Sequence, residues 1–157
     1  LTMKLTNAWA STATNNSGQN PTNGFTFDGS MAHPPPNLPA IQDVTMTNCV
    51  GKGFLQHCGV YAKKVNAISI NNSTFGGCYN GIQIAPGCTD FILTGNKCGN
   101  YVPPPLTPTG GTQAYGILIE PNDWFIVTGN MLRGNGLGGL LNMNTPFPTR
   151  IVTQNLQ

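Results

Sequence analysis

The sequence has little charge, no long apolar run and no helical periodicity. Charged residues make up 8% of the 157 residues and the net charge is +2, so no strong field exists to attract nucleic acid or an anionic membrane. No apolar run reaches the ~18 residues that a membrane-spanning helix needs. No stretch with the period of a helix is longer than one turn. These absences predict one domain of strands and turns that does not bind nucleic acid or insert into membranes.

Cysteine is present, but it fits neither a disulfide framework nor a metal site. Five cysteines cannot all pair within one chain. Their spacings of nine, twenty, ten and ten residues match no zinc pattern. We therefore expect five free thiols, with no metal and no cofactor.

Glycine is abundant, and it marks an internal repeat. The motif Gly-apolar-x-apolar begins at Gly24, Gly59, Gly81, Gly116 and, less well, Gly139. The intervals are 35, 22, 35 and 23 residues, which indicates a unit of 22 to 23 residues with insertions in the longer intervals. The additional residues in the two 35-residue intervals are rich in proline and glycine, which are disfavoured within a sheet. Loop insertions are predicted near 8–23, 28–40 and 100–112.

A second motif follows each glycine motif. Residues 91–98 (FILTGNKC) return almost unchanged at 125–132 (FIVTGNML), and 68–75 fit the same frame. Each unit therefore holds two short strands with period-two alternation. The spacing of a leucine-rich horseshoe is absent, which leaves a parallel β-helix with stacked inward residues. The expected inward columns are Val60, Ile82, Ile117 and Leu140; Ile68, Phe91 and Phe125; Ile70, Leu93 and Val127; and Phe75, Cys98 and Leu132.

Asparagines recur at the bend after the second strand of each unit. They are Asn48, Asn96, Asn130 and Asn155. Stacked amides at such a bend can bond one another from unit to unit, and the pattern predicts a partial ladder that Ser73 interrupts. The alternative is that asparagine is simply a common turn residue.

These units and bend asparagines resemble the right-handed parallel β-helices of the pectate-lyase-like superfamily, over roughly residues 41–157. That superfamily includes polysaccharide lyases, hydrolases and the tailspikes of bacterial viruses. The resemblance implies an all-β chain, 1–157, forming a right-handed parallel β-helix of about five coils of 22–23 residues, open at both ends. Strand patterns run to both termini, so we expect a piece of a longer polypeptide.

The resemblance is strongest to a tailspike or tail-fibre segment. It implies recognition of a surface polysaccharide by a homotrimer in the tail of a virion, acting outside the host cell, with depolymerase activity left open. Free thiols suit assembly in a reducing cytosol and favour this interpretation. The alternatives are a secreted polysaccharide lyase or glycoside hydrolase, and a structural shaft within a trimeric fibre.

Period-two alternation identifies a candidate carbohydrate-binding face. The expected outward column is Thr26, Tyr61, Gln83, Leu118 and Leu141, with Asp28, Lys63, Ala85 and Glu120 beside it. Tyr61 offers an apolar ring, Gln83 and Lys63 offer polar groups for sugar hydroxyls, and Trp124 lies at the neighbouring turn. The alternative is an ordinary solvated sheet.

Glu120 and Asp123 are the candidate catalytic pair. Glycoside hydrolysis usually needs two carboxylates about 5 to 9.5 Å apart, and these two share one unit of the repeat. The same segment also fits a proline-initiated turn. The superfamily's lyases use clustered aspartates for calcium and an arginine in an Arg-x-Pro context, and neither Arg133 nor Arg150 has that context. Its hydrolases carry adjacent aspartates and a Gly-His-Gly motif, and this chain has neither. Enzymatic activity therefore stays an open question.

Overall fold

The structure is a computed structural model that describes residues 3–6, 9–11, 23–30, 41–53, 57–99 and 113–157. Within these ranges the chain is all-β and contains no helix. The strands are β1 Met3–Thr6, β2 Trp9–Ser11, β3 Phe25–Asp28, β4 Ile41–Thr47, β5 Val50–Lys52, β6 Val60–Lys63, β7 Val65–Asn71, β8 Thr74–Gly76, β9 Asn80–Ile84, β10 Thr89–Thr94, β11 Lys97–Cys98, β12 Tyr115–Ile119, β13 Asp123–Thr128, β14 Gly138–Asn142 and β15 Arg150–Thr153.

The strands form three sheets, and all their pairings are parallel. Sheet A has the order β1-β4-β7-β10-β13-β15, sheet B β2-β5-β8-β11, and sheet C β3-β6-β9-β12-β14. The chain passes through A, B and C in this constant order, and single bridges at Met131 and Leu156 continue sheet B beyond β11. This topology is compatible with a parallel β-helix. The prediction of two strands per unit was wrong, because the bend after each sheet A strand is followed by a third, very short strand.

The register confirms the predicted inward columns. In sheet C, Ile82 pairs with Val60 on one side and Ile117 on the other, and all three are fully buried. In sheet A the rings of Phe91 and Phe125 stack with centroids 4.8 Å apart. Burying each such side chain stabilises the fold by about 1.5–3 kcal/mol. These side chains belong to one buried hydrophobic core, which also contains Val44, Met46, Ile68, Ile70, Phe75, Leu93, Cys98, Val127 and Leu132.

The repeated glycine has a packing reason. A Cβ on Gly81 would lie 2.5 Å from the carbonyl oxygen of Gly116, and one on Gly59 would lie 2.7 Å from that of Gly81. Each glycine therefore lets the next unit approach without a clash. The same close approach is found at Gly116 and Gly139, and it explains why these four units have glycine at the start of the motif.

The bend between sheets A and B carries a continuous hydrogen-bond ladder. The Ser73 hydroxyl accepts from the Cys49 N–H at 3.0 Å, and the Asn96 Oδ1 accepts from the Ser73 N–H at 3.0 Å. The Asn130 Oδ1 accepts from the Asn96 N–H at 2.9 Å, and the Asn155 Oδ1 accepts from the Asn130 N–H at 3.1 Å. The predicted ladder is confirmed, but Ser73 continues it rather than interrupting it.

Asn48 was wrongly assigned to this ladder. It is exposed and has φ 52°, and the residue one place later, Cys49, occupies the ladder position. In the other units the residue before the ladder position also has positive φ: Asn72, Gly95, Gly129 and Gln154. Asparagine and glycine tolerate this left-handed conformation best. The asparagine of this unit therefore serves the backbone turn, one residue out of register with the ladder.

Two further sequence expectations concern the loops and ends. The insertion predicted near 8–23 was partly wrong, because Trp9–Ser11 form β2 and pair with β5. Residues 12–22, 31–40 and 100–112, which hold most of the predicted insertions, lie outside the described residues. The strand patterns at the two ends are confirmed as β1 and β15.

Candidate functional site

The outer side of sheet C places the predicted carbohydrate-binding column in one row. Tyr61 pairs with Gln83, and Gln83 pairs with Leu118 in the next strand. The three side chains are partly exposed, while their neighbours on either side along each strand are buried. Thr26 and Leu141 continue the row at its two ends.

Gln83 is the centre of a hydrogen-bond network that spans neighbouring strands. Its Oε1 accepts from the Asn80 Nδ2 at 3.1 Å and from the Cys58 thiol at 3.0 Å. Its Nε2 donates to the Glu120 Oε1 at 2.6 Å. Two donors on the oxygen fix the orientation of the amide, since only its nitrogen side is left to meet the carboxylate. Glu120 is therefore held on this face by a rigid, neutral donor.

The electrostatics of this network argue against a nucleophilic thiol at Cys58. Burial raises the pKa of Cys58 to about 12, and Glu120 adds to the rise. The thiol is therefore protonated at neutral pH and acts as a hydrogen-bond donor, whereas a nucleophilic cysteine needs a lowered pKa. Burial also raises the pKa of Tyr61, with Asp28 and Glu120 as further causes. Tyr61 consequently stays a neutral phenol beside the carboxylate.

The two candidate catalytic acids have different partners. Glu120 follows β12 and bonds to Gln83 on sheet C. Asp123 begins β13 and forms an ion pair with Arg150 of the neighbouring strand β15. Among the described residues, neither acid is the other's hydrogen-bond partner. Trp124, which follows Asp123, is 59% exposed and has φ 57°.

The second predicted outward row is interrupted. Asp28 and Lys63 face each other in register at the ends of β3 and β6. Hydrogen bonds from the hydroxyl and the N–H of Ser30 lower the pKa of Asp28. Ala85 is only 2% exposed, so its assignment to the outward row was wrong. Its N–H bonds to the Ala62 carbonyl oxygen at 2.8 Å, which keeps the chain against sheet C at this bend.

Sequence reasoning missed Cys58 and Asn80 as members of the site. Each residue immediately precedes a glycine of the repeat, Gly59 or Gly81. The same position holds Tyr115 in the next unit, whose N–H bonds to the Asn80 Oδ1 at 3.3 Å. The position immediately before each repeat glycine could therefore have predicted that Cys58 and Asn80 belong to the site.

The described residues contain no group of three or more histidine, cysteine or acidic side chains that could hold a metal ion. All five cysteines are buried, and none of them forms a disulfide within the described residues. No helix in the described ranges is long and apolar enough to cross a membrane. Comparisons with protein-family models, curated proteins and solved structures found no match. The function is therefore inferred from the side chains themselves.

Proposed function

We propose that the chain is a right-handed parallel β-helix of the pectate-lyase-like type whose sheet C face binds a surface polysaccharide. The three parallel sheets and the constant order A, B, C support this architecture. In this proposal the chain is a segment of a virus tailspike or a similar receptor-binding protein. It assembles as a trimer in the virion tail and acts outside the host cell, while a secreted enzyme is the alternative setting.

The observation that carries the proposal is the network joining Gln83 to Glu120 beside Tyr61. A sugar offers hydroxyls that need oriented donors and acceptors, together with apolar C–H faces that pack on aromatic rings. Glu120 accepts the Gln83 donor through Oε1 and is partly exposed, so in this proposal its carboxylate also accepts a sugar hydroxyl. Parallel strands about 4.8 Å apart repeat these groups along one direction, which suits a linear polymer. Lys63 and Trp124 extend the contact surface at its edges.

Cleavage of the bound polymer is a separate question. Glu120 and Asp123 would have to flank one glycosidic bond, with one acting as an acid and the other as a base or nucleophile. Asp123 is paired with Arg150, whereas Glu120 is bonded to Gln83, so no hydrogen bond joins the two acids to each other. Polysaccharide binding without hydrolysis is therefore the primary proposal.

A structural shaft is the second candidate, and the outer side of sheet A favours it. Ile92 pairs with Ile126, and Ile126 pairs with Ile151. These three isoleucines are 41%, 37% and 43% exposed. Because contiguous exposed apolar residues mark protein contact surfaces, this row would suit the packing of identical chains in a trimer.

The binding proposal is tested by titrating capsular and lipopolysaccharide fragments against the wild type, Tyr61→Ala and Glu120→Gln. We expect each variant to weaken binding by about tenfold, the equivalent of one good hydrogen bond or aromatic contact. Thr45→Ala, a change at a partly exposed position on the outer side of sheet A, serves as the matched control. Equal affinity in all four proteins would contradict the proposal.

Two further measurements separate the remaining candidates. Product analysis of the same mixtures detects cleavage, and release of short fragments that is lost in Glu120→Gln and Asp123→Asn would establish an enzyme. Sedimentation of the wild type and Ile126→Asp tests the shaft. A trimer that dissociates in Ile126→Asp supports packing through sheet A, and an unchanged mass excludes it.

A further inference from the structure

The outer side of sheet A carries two regular columns of uncharged side chains. Alternate residues of its strands are buried in the core, so the residues between them face outward. In β1 the positions in register with the two columns are Lys4 and Thr6. The first column is Thr45, Ser69, Ile92, Ile126 and Ile151, and the second is Thr47, Asn71, Thr94, Thr128 and Thr153. We name these ten residues the sheet A array.

The sheet A array is periodic in two directions. Neighbouring strands lie about 4.8 Å apart, and alternate residues along one strand lie about 6.6 Å apart. The inner residues between the two columns stay in register from Met46 to Val152 without a slip. Because packing in the core fixes this register, the outward groups keep their spacing over four intervals, which is roughly 19 Å.

The side chains of the array are held in few conformations. All of them are threonine or isoleucine except Ser69 and Asn71, and branching at Cβ restricts rotation about χ1. The Asn71 Nδ2 donates to the Ser69 Oγ at 2.8 Å, which links the two columns within one strand. The hydroxyls of Thr128 and Thr153 are hydrogen-bonded at 3.2 Å across two strands. The positions of the polar groups are therefore as regular as those of the backbone.

The array alternates between hydroxyl and methyl groups and carries no charge. Its three isoleucines are 41%, 37% and 43% exposed, so apolar surface lies beside the threonine column. A charged side chain would hold a water shell of its own, whereas a threonine hydroxyl donates one hydrogen bond and accepts others. Methyl groups beside it leave neighbouring water to bond with water. This surface suits a ligand that is itself a periodic layer of water molecules.

We propose that the sheet A array binds the surface of an ice crystal. Water oxygens on a face of ice repeat at distances comparable with the two spacings of the array, so its hydroxyls take positions in the ordered layer while its methyl groups lie between them. Immobilising water from the liquid costs entropy, but the water of ice is already ordered. Sister chains packed on the isoleucines would cover the same array, so the two occupants exclude each other. The sheet C face is separate, and either proposal can fail without the other.

The test grows ice slowly from a dilute solution of the protein and measures the fraction of protein taken into the ice. A single ice crystal held in the same solution gives the thermal hysteresis, which is the gap between its melting and growth temperatures. The array variants are Thr94→Tyr, Thr128→Tyr and their double combination, because a ring at either position holds an ice face away from its neighbours. Thr74→Tyr, the same change at a partly exposed threonine of sheet B, is the matched control.

We expect the wild type to enter the ice and to show thermal hysteresis. Each single array variant should lower the ratio of protein in ice to protein in liquid roughly fivefold, the double variant should be excluded from ice, and Thr74→Tyr should match the wild type. Exclusion of the wild type, or an equal loss in Thr74→Tyr, would overturn the proposal.

Two further measurements complete the test. Sedimentation gives the oligomeric state, and a wild-type trimer that is excluded from ice would assign sheet A to sister chains instead. Urea unfolding verifies that each variant keeps the fold. Thr153→Tyr, at an exposed position of the edge strand β15, repeats the test where Thr94→Tyr or Thr128→Tyr lowers the urea midpoint, and uptake of Thr153→Tyr into ice at the wild-type level would overturn the proposal.

Discussion

The inner and outer sides of the same strands follow different rules. On the inner side of sheet C, Ile82 and Ile117 are alike and fully buried. On the outer side of the same sheet, the residues in register change from Tyr61 to Gln83 to Leu118 along the row. Packing needs the same shape in every unit, whereas a binding surface needs different groups at different places. The repeat therefore encodes the fold, and departures from the repeat on the outer side are where function is to be sought.

The three outer faces also differ from one another. Sheet C carries a polar network around Gln83, sheet B carries exposed cations, and sheet A carries a row of exposed isoleucines. One inner scaffold thus presents three chemically distinct surfaces. The residues of the three surfaces do not overlap, so each surface can be altered without changing the other two.

The largest expected effect on the free energy of unfolding is the difference between an isoleucine-to-aspartate change on the inner side and the same change on the outer side. Ile82→Asp places a carboxylate between Val60 and Ile117 and should cost at least about 4 kcal/mol, because the charge is buried without a partner. Ile92→Asp makes the same change at a residue that is 41% exposed and should cost about 1 kcal/mol or less. Urea unfolding of both variants measures the difference. Similar losses in the two would mean that the inner and outer sides are misassigned.

Alkaline pH should destabilise the fold through its buried thiols. Burial raises the pKa of Cys58 to about 12 and that of Cys88 to about 11, from an ordinary value of 9.0. The unfolded chain then loses these protons first, so the free energy of unfolding is constant below pH 9 and falls as pH rises toward the folded values. Between pH 8 and pH 10 we expect a loss on the order of 3 kcal/mol from the two thiols.

Cys88→Ala provides the internal control for this effect. Removing one of the two thiols should reduce the loss between pH 8 and pH 10 by on the order of 1 kcal/mol. Urea unfolding at each pH gives the free energies. The same pH dependence in this variant and in the wild type would mean that Cys88 does not contribute to the alkaline loss.

The inner side was predictable from the sequence and most of the outer side was not. Glycine spacing fixed the pairing of Ile82 with Ile117 across a 35-residue interval, because an apolar column tolerates no register error. Cys58 and Asn80 were missed since a polar network depends on which atoms meet, and spacing alone does not show that. The exposed cations of sheet B were missed for the same reason. Lys52, Lys97 and Arg133 are far apart in sequence, and they meet on one face only through sheet B and the bridge at Met131 that continues it.

The ladder shows where pattern recognition failed by one residue. Asn48 shares its residue type with Asn96, and it was therefore placed in the ladder. The structure gives that position to Cys49, whose N–H bonds to the Ser73 hydroxyl. Asparagine serves both as a ladder residue and as a left-handed turn residue, so residue type alone does not separate the two roles.

Asn130→Leu tests the ladder role directly. It leaves the Asn96 N–H without its acceptor and the Leu93 carbonyl without its donor, and we expect a loss of about 2 kcal/mol. Asn48→Gly is the matched control, since the residue is exposed and glycine accepts φ 52°. That change should stay within about 0.5 kcal/mol of wild type. Equal losses in urea unfolding would return Asn48 to the ladder.

The smallest effect is expected at Gly129, which precedes the ladder position of its unit. Its φ is +65°, and an added Cβ would meet nothing closer than the Gly95 nitrogen at 4.0 Å. Gly129→Ala therefore adds no clash, and its cost of about 1 kcal/mol is purely that of the left-handed conformation. Gly129→Asn should cost less, because asparagine tolerates this conformation and Asn72 adopts it at the equivalent position with φ 50°. Urea unfolding of both variants measures these costs. The left-handed conformation would not explain which residues precede the ladder if Gly129→Ala has the wild-type urea midpoint, or if Gly129→Asn costs as much as Gly129→Ala.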